Sequence, residues 1–97
     1  MNYKDELIYK LKSYKPILNK KYKITKIGIF GSVARGESGV ESDIDIVIQV
    51  DVLKPFILLE IKDELEKLIG RKVDLVRFRK NMNEDLKKRI EKEVIYV

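Results

Sequence analysis

Two short groups of residues carry the most legible chemistry in this 97-residue chain. Gly31-Ser32 directly follows the apolar run Ile27-Gly28-Ile29-Phe30, and Asp43-Ile44-Asp45 stands ten residues farther on, at the head of a second apolar run. Aspartates at i and i+2 of a strand point to the same face, roughly 6–7 Å apart along the backbone. Such a pair repels unless a positive charge sits between the two. Mg²⁺ suits the position, because it binds through one or two carboxylates and completes its shell with phosphate oxygens and water. A strand that breaks at Gly-Ser into a helical turn offers the complementary part. Backbone N–H groups at such a turn bind anions, Gly31 allows close approach, and Ser32 adds a hydroxyl. Asp74 opens a third apolar run and can bring another carboxylate to the same face. The combination points to metal-assisted chemistry on a phosphate compound.

Composition narrows the means. The chain has neither histidine nor cysteine. An imidazole base, a thiolate nucleophile, a disulfide and the usual zinc ligands are therefore excluded. Catalysis must run on carboxylates, hydroxyls, lysines, arginines or a hard cation. The net charge of +5 is compatible with nucleic acid, an acidic partner or a phosphorylated substrate, and does not choose among them. No apolar run approaches the roughly 20 residues of a membrane helix, and the first residues lack the apolar core of a signal peptide. The expectation is a single cytoplasmic domain over residues 1–97, with a core small enough that homo- or hetero-oligomeric partners are reasonable.

The elements that must position these residues follow from periodicity. Leu7, Leu11, Tyr14 and Leu18 form one helical stripe, capped by Asn2 or Asp5, and Pro16 predicts an end or kink near Lys15. The basic stretch 19–23 then reads as a connector. Residues Ile24 to Phe30 read as a strand, Val33 to Arg35 as a helical turn and Gly36 to Gly39 as a loop. From Asp43 to Val50 the alternation is clean: Ile44, Ile46, Ile48 and Val50 on one side, Asp43, Asp45, Val47 and Gln49 on the other. A helix has Pro55 in its first turn and Gly70 just after its end. A third strand covers 72–78, with Val73 and Leu75 on one face and Asp74 and Val76 on the other. Asn81 or Asn83 caps a last helix through Glu93 with Leu86, Ile90 and Val94 as its stripe, and residues 94–97 form a short terminal strand. The predicted class is α/β (α+β), with a mixed sheet of three or four strands and helices packed on it. The basic runs 20–23 and 77–80 lack the ordered aromatic series of a single-strand binder, so direct nucleic-acid binding is not expected.

Two familiar phosphate and metal motifs fail here. Gly31, Gly36 and Ser38 fit part of a P-loop, but Glu37 stands where its lysine must be and would repel phosphate. Asp43-x-Asp45 resembles the start of an EF-hand, but Val47 occupies the next ligand position. What the pattern does resemble is the nucleotidyltransferase, or polymerase-beta-like, superfamily: Gly31-Ser32, ten residues, Asp43-Ile44-Asp45, and Asp74 downstream. The fuller string, Gly-Ser-Val-Ala-Arg-Gly-Glu followed by Ser-Asp-Ile-Asp-Ile, resembles the minimal nucleotidyltransferases (MNT), many of which act as antitoxins beside a helical HEPN-domain toxin.

That resemblance implies a small nucleotidyltransferase fold and a set of roles. Asp43 and Asp45 would hold the catalytic Mg²⁺ ions, two in number, and Asp74 would bind the second and help deprotonate the acceptor hydroxyl. Gly31 and Ser32 would hold the β- and γ-phosphates of ATP. Arg35 would touch phosphate, or else hold the loop through a salt bridge such as one to Glu37. The reaction would be in-line displacement of pyrophosphate by an acceptor hydroxyl at the α-phosphorus. The implied activity is transfer of AMP from ATP to a tyrosine of a HEPN-domain protein encoded nearby. The alternatives are a binding subunit that neutralises its partner by contact alone and a transferase acting on a small molecule such as an aminoglycoside.

Overall fold

The computed structural model describes residues 2–37 and 43–97. Ser38 and Gly39 of the expected loop lie outside the described residues. The elements run α1 (Tyr3–Tyr22), β1 (Ile24–Phe30), α2 (Gly31–Ala34), β2 (Ile44–Val50), α3 (Ile57–Ile69), β3 (Val73–Arg77), α4 (Glu84–Glu93) and β4 (Ile95–Tyr96). The strands form one mixed sheet in the order β3-β2-β1-β4. Strand β1 pairs antiparallel with β2 and β4, whereas β2 and β3 are parallel. A parallel pair needs a crossover, and α3 supplies it. The class expected from the sequence is the one observed.

One face of the sheet carries the main core. Ile27 and Ile29 of β1, Ile44, Ile46 and Ile48 of β2 and Val73 of β3 pack against Leu7, Leu11 and Leu18 of α1 and Ile61, Leu65 and Ile69 of α3. The alternation in β2 decides which side chains reach this face. On the other face, α4 lays Ile90 over Phe30 and Val47, with Val76, Leu86 and Val94 beside them. Gly28 is needed here: a Cβ on it would lie 2.8 Å from the Ile95 carbonyl oxygen and from the Val94 side chain.

The structure departs from expectation at two helices. Helix α1 runs through Pro16 to Tyr22 and closes on Lys23, which takes the left-handed conformation (φ 63°) and donates its N–H to the Asn19 carbonyl. Proline deprives one carbonyl of its partner, but packing on both sides of it overrides the local preference. Leu18 is fully buried, and the hydroxyls of Tyr14 and Tyr22 both donate to Glu64 on α3. Helix α3 begins at Ile57, two residues after Pro55, because Pro55 and Phe56 form a turn in which the Ile57 N–H bonds the Lys54 carbonyl. Its end is as expected: Gly70 (φ 78°) donates to the Glu66 carbonyl. Asn2 caps α1 and Asn83 caps α4.

Candidate active site

The site forms at the end of β1 and the start of β2 and β3, on the face that α4 only partly covers. Strand register assembles it. Asp45 is paired with Phe30 on one side and with Asp74 on the other. Two aspartates 29 positions apart thereby become lateral neighbours on parallel strands. Asp43, just before β2, is exposed, as is Asp74, whereas Asp45 is only partly exposed.

Gly31 follows Phe30 directly and adopts φ 75°, a left-handed conformation open to glycine. Its missing side chain is also a matter of space. A Cβ there would sit 2.0 Å from Asp45 Oδ2, so the carboxylate packs into the room that only glycine leaves. Gly31 and Asp45 are therefore one unit, although the sequence presents them as separate motifs. Ser32 follows, partly buried, at the start of the short helix α2, and its carbonyl accepts the Glu37 N–H.

The electrostatics of the unit are unbalanced. Burial raises the Asp45 carboxyl above its ordinary range, and the charges of Asp74 and Asp43 raise it further, against the opposing pull of Arg89 and Arg35. Arg89, from α4, brings Nη2 to 3.7 Å from Asp45 Oδ2. Among the described residues no group of three acidic side chains is gathered closely enough to grip a metal ion. Mutual repulsion of carboxylates with little positive charge between them opposes such a gathering.

Arg35 forms the salt bridge to Glu37, through Nε at 3.1 Å, and its Nη1 donates to both oxygens of Glu93 at 3.0 Å. Glu93 Oε1 also accepts the Gly31 N–H at 3.1 Å and lies 3.6 Å from Arg89 Nε. Burial alone would raise the Glu93 carboxyl. The Gly31 N–H and the two guanidiniums outweigh it and hold the group below the usual range. Arg89 and Glu93 were not singled out by sequence reasoning. Both sit one position before the apolar stripe residues Ile90 and Val94, in a helix otherwise crowded with charge. Their i, i+4 spacing was the available signal.

In each basic run one cation is engaged structurally. Lys21 pairs with Glu64 at 2.8 Å, and Arg77 donates to the carbonyls of Val50 and Asp51. No helix among the described residues is long and apolar enough to cross a membrane.

Residues 12–97 match the family model described as polymerase beta, nucleotidyltransferase. A candidate protein adenylyltransferase of Methanocaldococcus jannaschii is 46% identical over 90 residues, covering 90% of each chain. Protein adenylyltransferase MntA of Thermococcus cleftensis is 33% identical over 88 residues, covering 90% of this chain and 88% of MntA. Among solved structures, a chain from the complex of tri-AMPylated Shewanella oneidensis HEPN toxin with MNT antitoxin superposes with a TM-score of 0.68 at 22% identity, covering 96% of this chain and 70% of that one. With the aspartates aligned across β2 and β3, the Gly-Ser turn locked against one of them and the match spanning most of the chain, the protein belongs to the polymerase beta nucleotidyltransferase family.

Proposed function

We propose that this chain transfers AMP from ATP to a hydroxyl, that of a tyrosine on a HEPN-domain partner, and so acts as the antitoxin of a toxin–antitoxin pair. The observation that carries this reading is the lateral pairing of Asp45 with Asp74 beside the Gly31 turn. The relatives named as protein adenylyltransferases support protein as the acceptor, and the AMPylated HEPN toxin in the superposed complex supports the partner.

By donor chemistry, the three carboxylates suit a hard divalent cation. Asp43, Asp45 and Asp74 offer only oxygen, and the Asp45 carboxyl, raised first by burial and then by the charges of Asp74 and Asp43, is one whose ionised form a cation would favour. These three residues would hold Mg²⁺, which when bound supplies neutralisation of the triphosphate and activation of the attacking oxygen. The Gly31-Ser32 turn holds the β- and γ-phosphates, which leaves the α-phosphorus directed toward the aspartates. Asp74 takes the proton of the acceptor hydroxyl. As the new bond to the α-phosphorus forms, the bond to the bridging oxygen breaks and pyrophosphate leaves. Arg35, committed to Glu37 and Glu93, shapes the loop that carries the turn.

The test is incubation of the chain with Mg²⁺, ATP labelled at the α-phosphate and the product of the neighbouring reading frame. Label is expected on a tyrosine of that product, and Asp45→Asn should abolish it. A partner that stays unlabelled while being fully neutralised would replace this reading with neutralisation by contact. Transfer to an aminoglycoside instead would make the enzyme a small-molecule transferase.

A further inference from the structure

We propose that Arg89 is a phosphate-binding residue of the nucleotide site, and that Glu93 is the positioning residue that holds it there. The inference rests on the nucleotidyltransferase reading above and adds to it two side chains from α4.

The guanidinium of Arg89 lies where the site's parts meet. Nη2 is 3.7 Å from Asp45 Oδ2 and 3.3 Å from the point a Cβ on Gly31 would occupy. The group also lies over the Phe30 ring, with Cζ 5.5 Å from its centre, a contact that uses no N–H. Its two ionic contacts, 3.7 and 3.6 Å, are longer than hydrogen bonds. Arg35 differs in this respect. Its Nε and Nη1 donate to Glu37 and Glu93 at 3.0–3.1 Å. Among the described residues, Arg35 is held by short hydrogen bonds and Arg89 by longer ionic contacts, so Arg89 is the one of the two that can turn its planar fork to a new anion. Its side chain is 48% exposed, so an incoming triphosphate reaches it from solvent.

Glu93 makes the arrangement a single array. One carboxylate accepts the Gly31 N–H and two hydrogen bonds from Arg35, and it faces Arg89 one helical turn back. The last turn of α4 is thereby fastened to the phosphate turn, and Arg89 is carried with it. Glu93 acts through Gly31 and Arg89, with its own oxygens turned toward protein donors.

Binding of a non-hydrolysable ATP analogue and of AMP to the full chain, measured by calorimetry in Mg²⁺, tests this. Arg89 meets the phosphates lodged at the Gly31 turn, so Arg89→Ala should weaken the analogue about tenfold or more while AMP affinity stays within about twofold. Arg89→Lys should recover part of the loss, since it restores charge without the fork. Glu93→Gln keeps an acceptor for Gly31 but drops the charge facing both guanidiniums. It should weaken the analogue less than Arg89→Ala does. Analogue binding unchanged in Arg89→Ala, or AMP weakened as much as the analogue, overturns the role of Arg89. Tighter analogue binding in Glu93→Gln overturns the role of Glu93, by showing that its carboxylate competes with phosphate. Should Arg89→Ala fail to fold, Arg89→Lys carries the same comparison. A wild-type chain that binds neither ligand overturns the nucleotide reading itself, a result distinct from any of these.

Discussion

The two faces of the sheet bury very different amounts. Among the described residues, sixteen buried ones form one continuous cluster toward α1 and α3, whereas toward α4 the buried cluster is Phe30, Val47 and Ile90. The strands are common to both, so the difference comes from what alternates along them. In β2 the isoleucines point one way, and Asp45, Val47 and Gln49 the other. One face supplies the stability. The other can then keep a half-buried carboxylate, a glycine pressed against it and two arginines that no core would tolerate.

The comparison is sharpest where a substitution should affect one face and spare the other. Asp45→Asn should lower transfer by more than the roughly 100-fold that even changes behind a metal ligand can reach. Its melting temperature should hold or rise, because it removes a charge that burial and two neighbouring aspartates disfavour. Thermal melts beside the labelling assay check this, and a loss of fold would break the division of labour. On the packed face, Ile46→Ala should cost about 2–5 kcal/mol in urea unfolding. Residual activity per folded molecule should change little.

A second carboxylate tests the packed side by pH. Burial alone would raise the Glu64 carboxyl, but hydrogen bonds from Lys21, Tyr14 and Tyr22 outweigh it and hold the group below its ordinary 4.5. The folded state thus binds this proton less tightly than the unfolded state. The stabilisation is complete above 4.5 and is lost as pH falls through the depressed value. Glu64→Gln should cost roughly 1–3 kcal/mol at pH 7 and flatten the acid limb of the stability curve, as urea melts at pH 7 and pH 3 will show. The smallest effect is expected at Pro16. It is exposed and within α1, so Pro16→Ala should stabilise by about 1–2 kcal/mol, visible as a rise in melting temperature with no change in transfer.

Much of this architecture was legible in the residues themselves. The alternation of β2 and the stop at Gly70 are local signals that specified their elements, and the local signal for the α4 cap narrowed it to Asn81 or Asn83, of which the structure uses Asn83. Pro16 misled because its cost is local, whereas the contacts that overrule it come from Glu64, on another helix. The site was legible in part for the same reason. Gly31 and Asp45 belong to a recognisable string, yet nothing in that string says that one carboxylate fills the other's missing Cβ. The meeting of Asp45 with Asp74 depends on the register of a parallel pair joined by a crossover helix. Arg89 and Glu93 lie among lysines and glutamates of similar appearance, and only the docking of α4 distinguishes them.

The parallel pairing of β2 with β3 also sets a timetable. As the chain emerges from the ribosome, β1 and β2 can form their antiparallel ladder early, and with it the contact between Gly31 and Asp45. Asp74 cannot join until the whole of α3 has been made and has folded back, since contacts distant in sequence are the slower ones to form. Arg89 and Glu93 arrive later still. A nascent chain therefore completes the contact between Gly31 and Asp45 well before Asp74, Arg89 and Glu93 can reach it, and the whole constellation exists only once α4 settles.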